Sequence, residues 1–148
     1  MRAVIQRVLQ SRVEVNGQTV GQIKEGLLVY VSIGRKDDTA DAEFMAEKLV
    51  NLRIFADDAG KMNRSVLEVG GAILLVSNFT LHGDCRKGRR PSFDGAAEPK
   101  LAQQLYERLI ELIASKGVTA ERGVFGGHMQ ISSVNDGPVT FLLDSEET

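Results

Sequence analysis

The chain has 148 residues, of which 43% are hydrophobic and 26% charged, with a formal net charge of −2. That length points to one domain able to bury a sizeable core, and the composition is that of an ordinary globular protein. The slight acidity excludes a global basic field that would draw in nucleic acid, so any RNA contact has to come from a local patch or from recognition of a small terminal group.

Cys85 is the only cysteine, which rules out an intrachain disulfide and fits a reducing compartment. Met1 to Arg7 is charged within its short apolar stretch and lacks a signal-peptide core. No run approaches the roughly 20 apolar residues that span a bilayer. The expectation is a cytoplasmic protein without a membrane partner.

In chain order, Val13 to Val20 alternates around Asn16-Gly17, the pair that tolerates positive φ at both turn positions, and reads as a hairpin. Leu27 to Ile33 is a nearly continuous apolar run, expected as a strand buried on both faces. Asp37-Asp38-Thr39 opens a helix with capping and acidic residues, and Ala42, Met45, Ala46, Leu49 and Leu52 follow at helical spacing. Asp57 to Gly60 is a turn. Ser65 to Val69 is expected as a short strand and Ala72 to Val76 as a buried one, running into Ser77-Asn78-Phe79-Thr80-Leu81. A polar, glycine-rich, basic loop covers about Gly83 to Ala97. Pro99 and Gly117 bracket a second helix with a stripe of Leu101, Leu105, Leu109, Leu112 and Ile113. Two strands follow, near Met129 to Val134 and Val139 to Asp144. The fold class is α+β: one domain over 1–148, with a curved, largely antiparallel, barrel-like sheet and two main helices.

Few residues offer familiar chemistry. His82 and His128 lack metal-ligand spacing to each other or to Cys85, so no metal and no cofactor is expected. Arg86 and Lys87 beside Cys85 favour a thiolate, but no cysteine-enzyme signature surrounds it. No Gly-x-Ser-x-Gly elbow or phosphate loop is present. Ser77-Asn78-Phe79-Thr80 follows a buried strand, where backbone amides can be held rigidly for a developing oxyanion; a plain strand end capped by hydroxyls is the alternative. Arg86, Lys87, Arg89 and Arg90 suit phosphates or simply a solvated loop. Asn135-Asp136-Gly137-Pro138 is a turn signal in which the Gly-Pro bond is able to be cis.

Read together, these segments resemble the D-aminoacyl-tRNA deacylases. The resemblance runs through Met1-Arg2-Ala3-Val4-Ile5-Gln6-Arg7-Val8, Gly60-Lys61-Met62-Asn63, Ser77 to Leu81, Lys87 to Phe93 and Val134 to Thr140. It implies a homodimer with active sites at the interface and hydrolysis of the ester between a D-amino acid and the tRNA 3′-adenosine, with glycyl-tRNA also cleaved. Ser77, Asn78, Phe79 and Thr80 would be catalytic. Gly137, Pro138, Val139 and Thr140 would enter from the partner subunit as a chiral filter, cis at Gly137-Pro138, gripping the α-amino group and excluding L-residues. Arg7, acting across the interface, and Asn135 would brace that loop, and Arg86, Lys87, Arg89 and Arg90 would meet tRNA phosphates.

The family usually has Gln where this chain has Asn78. The shorter stem moves or loses a side-chain contact, while backbone roles at Asn78 and Phe79 survive. Two mechanisms are compatible with the resemblance. In one Thr80 is the nucleophile, which needs a base that the sequence does not supply. In the favoured one water attacks, assisted by the adenosine 2′-hydroxyl, with the Phe79 N–H on the oxyanion. The competing readings are a related deacylase of L-alanyl mischarged tRNA, a non-catalytic tRNA-binding module using the Arg86–Arg90 loop, and a purely structural dimer.

Overall fold

The structure is a computed structural model and describes residues 1–147. β1 (Arg2–Val15) and β2 (Gln18–Ile23) form the expected hairpin. Asn16 and Gly17 have φ of 51° and 76°, the positive pair that a tight hairpin turn demands. β3 (Gly26–Ser32) is buried throughout except at Tyr30, as its unbroken apolar run requires.

α1 (Thr39–Asn51) starts at a capping box. The Asp38 carboxylate accepts from the Ala40 N–H at 2.8 Å, and the Asp38 N–H donates to the Asp41 carboxylate at 2.9 Å. β4 (Phe55–Ala56) and β5 (Met62–Arg64) make a small separate hairpin around the Asp57–Gly60 turn.

Ser65 to Val69 is not the expected strand. The Ser65 N–H donates to the Glu68 carboxylate at 2.7 Å, and the Glu68 N–H donates to the Ser65 hydroxyl at 3.2 Å. This reciprocal Ser-x-x-Glu box winds the segment into a turn that drops Val66 into the core.

β6 (Ala72–Ser77) leads into a 3-10 turn over Phe79–His82, then α2 (Pro99–Ser115), β7 (Thr119–Arg122) and β8 (Gln130–Asp144). The two expected C-terminal strands are one strand, β8. The main sheet runs β2-β1-β3-β6-β7, with β8 also paired to β1. It is mixed: β1 pairs antiparallel with β2, β3 and β8, while β6 pairs parallel with β3 and β7. The parallel pairs arise because α1 and α2 carry the chain back across the sheet.

The sheet curls until β2 reaches β7, giving a nearly closed barrel. At that seam a Cβ on Gly21 would lie 2.4 Å from the Arg122 carbonyl oxygen, so only glycine permits the approach. One core lies between the sheet and the helices and includes Ile5, Leu27, Leu75 and Leu109. A second lies on the opposite face, with Val8, Leu28, Leu74 and Val76. Neighbouring residues of β3 and β6 thus point into different cores, which explains their unbroken apolar runs.

Candidate active site

A cleft of about 670 Å³ opens where β3 and β6 end. Ser77, Asn78, Phe79 and Thr80 line one wall, as their place after a buried strand suggested. The opposite wall includes Phe125 to Met129, of which only His128 was weighed from the sequence, as a metal ligand and not as part of a cleft. Its signal was the Gly126-Gly127 pair beside His128, at a point where backbone approaches the cleft.

The Phe79 segment is tightly set. The Asn78 N–H donates to the Val31 carbonyl at 2.8 Å, which continues the β6–β3 ladder one residue past the strand. Phe79 then opens the 3-10 turn, so its own N–H precedes the turn's internal hydrogen bonding. Its ring packs edge-on against Phe93, with centroids 5.1 Å apart, and is 59% exposed in the single chain. The Thr80 hydroxyl donates to the Asn78 side-chain oxygen. The shortened amide at 78 therefore has a defined partner, and the Thr80 proton points at an amide oxygen, which is no base.

Tyr30 and His128 are the titratable side chains that line the cleft. Ser32, almost fully buried, contacts His82 Nδ1 and, at 3.4 Å, the Phe79 carbonyl oxygen. Burial, reinforced by the charge of Arg2, lowers the His82 imidazole below its ordinary 6.5, so it is neutral at pH 7. Among the described residues no cluster of three or more metal-ligating side chains is present.

Gly137 and Pro138 do not line this cleft. They lie exposed elsewhere, in a bulge of β8. Gln6 pairs with Thr140 and Val8 with Asn135, so residues 136–139 are extruded opposite the single residue Arg7. The Gly137-Pro138 bond is cis. Asn135 spans the base of the bulge: its Oδ1 accepts from the Val139 N–H at 2.9 Å, and its Nδ2 donates to the Thr140 hydroxyl at 3.2 Å. The Gln6 amide donates to the same hydroxyl at 3.3 Å. Val139 is buried and anchors the bulge to the core.

Arg7 Nε donates to the Asp136 carbonyl at 3.2 Å and lies 3.1 Å from its carboxylate. Its Nη1 donates to the Ile54 carbonyl at 2.6 Å. Within the single chain Arg7 thus contacts its own bulge. The register explains it, because Arg7 is the residue directly facing the bulge.

Arg86 is held by Asp84 at 2.7 Å, an ion pair that keeps the Asp84 carboxyl at about 2. Lys87, Arg89 and Arg90 are exposed and have no ion-pair partner among the described residues. Cys85 is exposed and free.

The site thus defines a class: a cleft in a small α+β barrel that offers backbone donors and hydroxyls but no acid–base pair, with a rigid glycine-proline bulge presented on another face of the chain. The chain matches the family model described as D-Tyr-tRNA(Tyr) deacylase over residues 4–144, and it belongs to that family. It is 54% identical over 147 residues to the D-aminoacyl-tRNA deacylase of Thermosipho africanus (strain TCF52B), covering 99% of each chain. It is 51% identical to that of Clostridioides difficile (strain 630), covering 100% of this chain and 99% of the relative. Among solved structures, the c-Myc DNA Unwinding Element Binding Protein superimposes with a TM-score of 0.92 at 37% identity, over 98% of this chain and 99% of the other. A probable eukaryotic D-amino acid tRNA deacylase shares the fold, with a TM-score of 0.85 at 18% identity, over 96% and 97% of the two chains.

Proposed function

We propose that this chain hydrolyses the ester joining a D-amino acid to the 3′-terminal adenosine of tRNA, releasing free amino acid and tRNA. The observation that carries the reading is the pairing of a backbone-donor cleft with a separate, braced Gly137-Pro138 bulge in a chain of this family.

Water attacks the ester carbonyl, assisted by the adenosine 2′-hydroxyl. The Phe79 N–H stabilises the oxyanion, the carbonyl–O3′ bond breaks, and O3′ leaves with a proton. No protein acid or base is needed, which matches a wall of Ser77, Asn78, Phe79 and Thr80. Preorganised backbone donors of this kind are worth about 10²–10³ in rate each. Thr80 as nucleophile is disfavoured, because its hydroxyl donates to the Asn78 amide oxygen.

The working unit is a homodimer. The bulge of one protomer enters the partner's cleft, where the Gly137 and Pro138 carbonyls hold the substrate's α-ammonium group and leave no room for an L side chain. Exposed Val134, Phe141 and Leu142 on β8 supply apolar surface for association. Glycine has no side chain to exclude, so glycyl-tRNA is also a substrate. The exposed Lys87, Arg89 and Arg90, with Arg86, meet tRNA phosphates. Aminoacylated tRNA places this work in the cytoplasm; no described helix is long and apolar enough to cross a membrane.

The test is incubation with matched D- and L-tyrosyl-tRNA while ester loss is followed. Rapid loss of the D-ester with retention of the L-ester is expected. Survival of both esters overturns the reading.

A further inference from the structure

We propose that His82 is a positioning residue, holding the Phe79 peptide in register for catalysis through the buried hydroxyl of Ser32. The proposal rests on the deacylase reading above and adds to it a residue, His82, outside the cleft lining.

Phe79 is pinned on both sides by consecutive residues of β3. The N–H before it, on Asn78, donates to the Val31 carbonyl at 2.8 Å. The carbonyl after it, its own, lies 3.4 Å from the Ser32 hydroxyl oxygen. Only the Phe79 φ and ψ separate that carbonyl from the N–H assigned to the oxyanion, so fixing one aims the other.

Ser32 has a single proton to give and two lone pairs to accept with. Its oxygen also meets His82 Nδ1. If the hydroxyl donated to His82, no proton would lie between Ser32 and the Phe79 carbonyl, which would then be held by the 3-10 turn's own backbone bond alone. The arrangement that makes both contacts hydrogen bonds is directional: Nδ1–H donates to Ser32 Oγ, and Ser32 O–H donates to the Phe79 carbonyl. A neutral imidazole carries its proton on one nitrogen, so this chain of hydrogen bonds selects the Nδ1–H tautomer.

The imidazole is well placed to hold that orientation. A Cβ on Gly34 would lie 3.0 Å from Nε2, and one on Gly95 would lie 3.8 Å from Cδ2, so the ring occupies space that two glycines leave open. Those glycines belong to segments tied together by the Arg35 N–H to Gly95 carbonyl bond at 3.1 Å. Ser32 itself is 1% exposed, so water cannot substitute for either partner.

Single-turnover and steady-state deacylation of D-tyrosyl-tRNA by full-length protein tests this, using S32A, H82A, the S32A/H82A pair and H82N. The Asn amide nitrogen replaces Nδ1 as a donor. S32A and H82A are each expected to lower kcat about tenfold with KM changed less than about twofold, as for loss of an interaction made only in the transition state. The double variant is expected to match the single ones, because the two side chains form one chain of hydrogen bonds. H82N is expected to recover most of the loss, and thermal melting reports whether each variant folds. Unchanged kcat in S32A, effects that multiply in the double variant, or an H82N as slow as a folded H82A would each overturn the clamp. A wild-type protein that leaves D-tyrosyl-tRNA intact would instead overturn the deacylase reading, a result distinct from active wild type with equally active variants.

Discussion

At the scale of single residues, the bulge and the cleft make opposite demands. Gly137 has a φ of 152°, and a Cβ there would sit 2.4 Å from the Val139 nitrogen and 2.7 Å from its Cγ2. Val139 cannot step aside, because it is buried and its N–H is held by Asn135. Gly137→Ala must therefore displace the bulge by a sizeable fraction of an ångström. A misplacement on the order of 1 Å costs about 10²-fold in rate, and that loss of D-tyrosyl-tRNA deacylation is the expected outcome. Unchanged turnover and chirality in the variant would remove Gly137 from the filter. Thr80 is the contrasting case. Its hydroxyl supports Asn78 at an exposed position, and a hydrogen bond of this sort is worth about 0.5–1.5 kcal/mol. Thr80→Val should thus stay within about tenfold of wild type in kcat, since 1.4 kcal/mol corresponds to a factor of ten. A fall of several orders of magnitude in a folded variant would restore Thr80 as the nucleophile.

At the scale of elements, the cleft depends on how α2 seats against β6. Tyr106 is buried on that helix and its hydroxyl donates to the Leu75 carbonyl at 2.9 Å, two residues before Ser77. Burial pushes the phenol up to about 12, so it remains a donor at any working pH. The same carbonyl also accepts from the Gly123 N–H at 3.0 Å. Tyr106→Phe does not orphan it, and the expected loss is about 1 kcal/mol, the net worth of one hydrogen bond, read from denaturant midpoints. A loss of 3 kcal/mol or more would show that the hydroxyl does more than this bond accounts for. Elements with strong periodicity or capping were legible in the sequence: the Asn16-Gly17 hairpin, both helices, and the apolar runs of β3 and β6. Those missed had weak local signals. β7, Thr-Ala-Glu-Arg, has no apolar alternation and exists because β6 offers it an edge. Ser65 to Val69 has β-branched Val66 inside a capping box and Val69 just after it, and the box prevails. β8 read as two strands because the bulge interrupts its alternation, yet β1 pairs with it on both sides of the interruption. The cleft wall at Ser77 to Thr80 was legible from its place after a buried strand. The Ser32–His82 contact was not, because it joins residues 50 apart in the chain.

At the scale of the molecule, a single chain separates the two halves of the proposed machinery. The cleft is lined by residues from β3, β6 and the Phe125–Met129 segment, whereas the bulge stands on β8 opposite Arg7. If one protomer's bulge completes its partner's cleft, damage to each half must be complemented in trans. Phe79→Pro removes the backbone N–H at the first position of the 3-10 turn, where proline's fixed φ is tolerated. Gly137→Ala damages the other half. Each variant alone should form dimers with both sites defective. In a hybrid dimer, one site combines both lesions and the other combines two intact halves. Random reassociation of equal amounts makes half the dimers hybrid, with one of two sites restored, so the mixture should recover about one quarter of wild-type turnover per protomer. The measurement is D-tyrosyl-tRNA deacylation after joint unfolding and refolding of the two variants, compared with each refolded alone. Activity no higher than the mean of the two separate variants, with hybrid dimers present by native mass spectrometry, would place both halves of the site in the same chain.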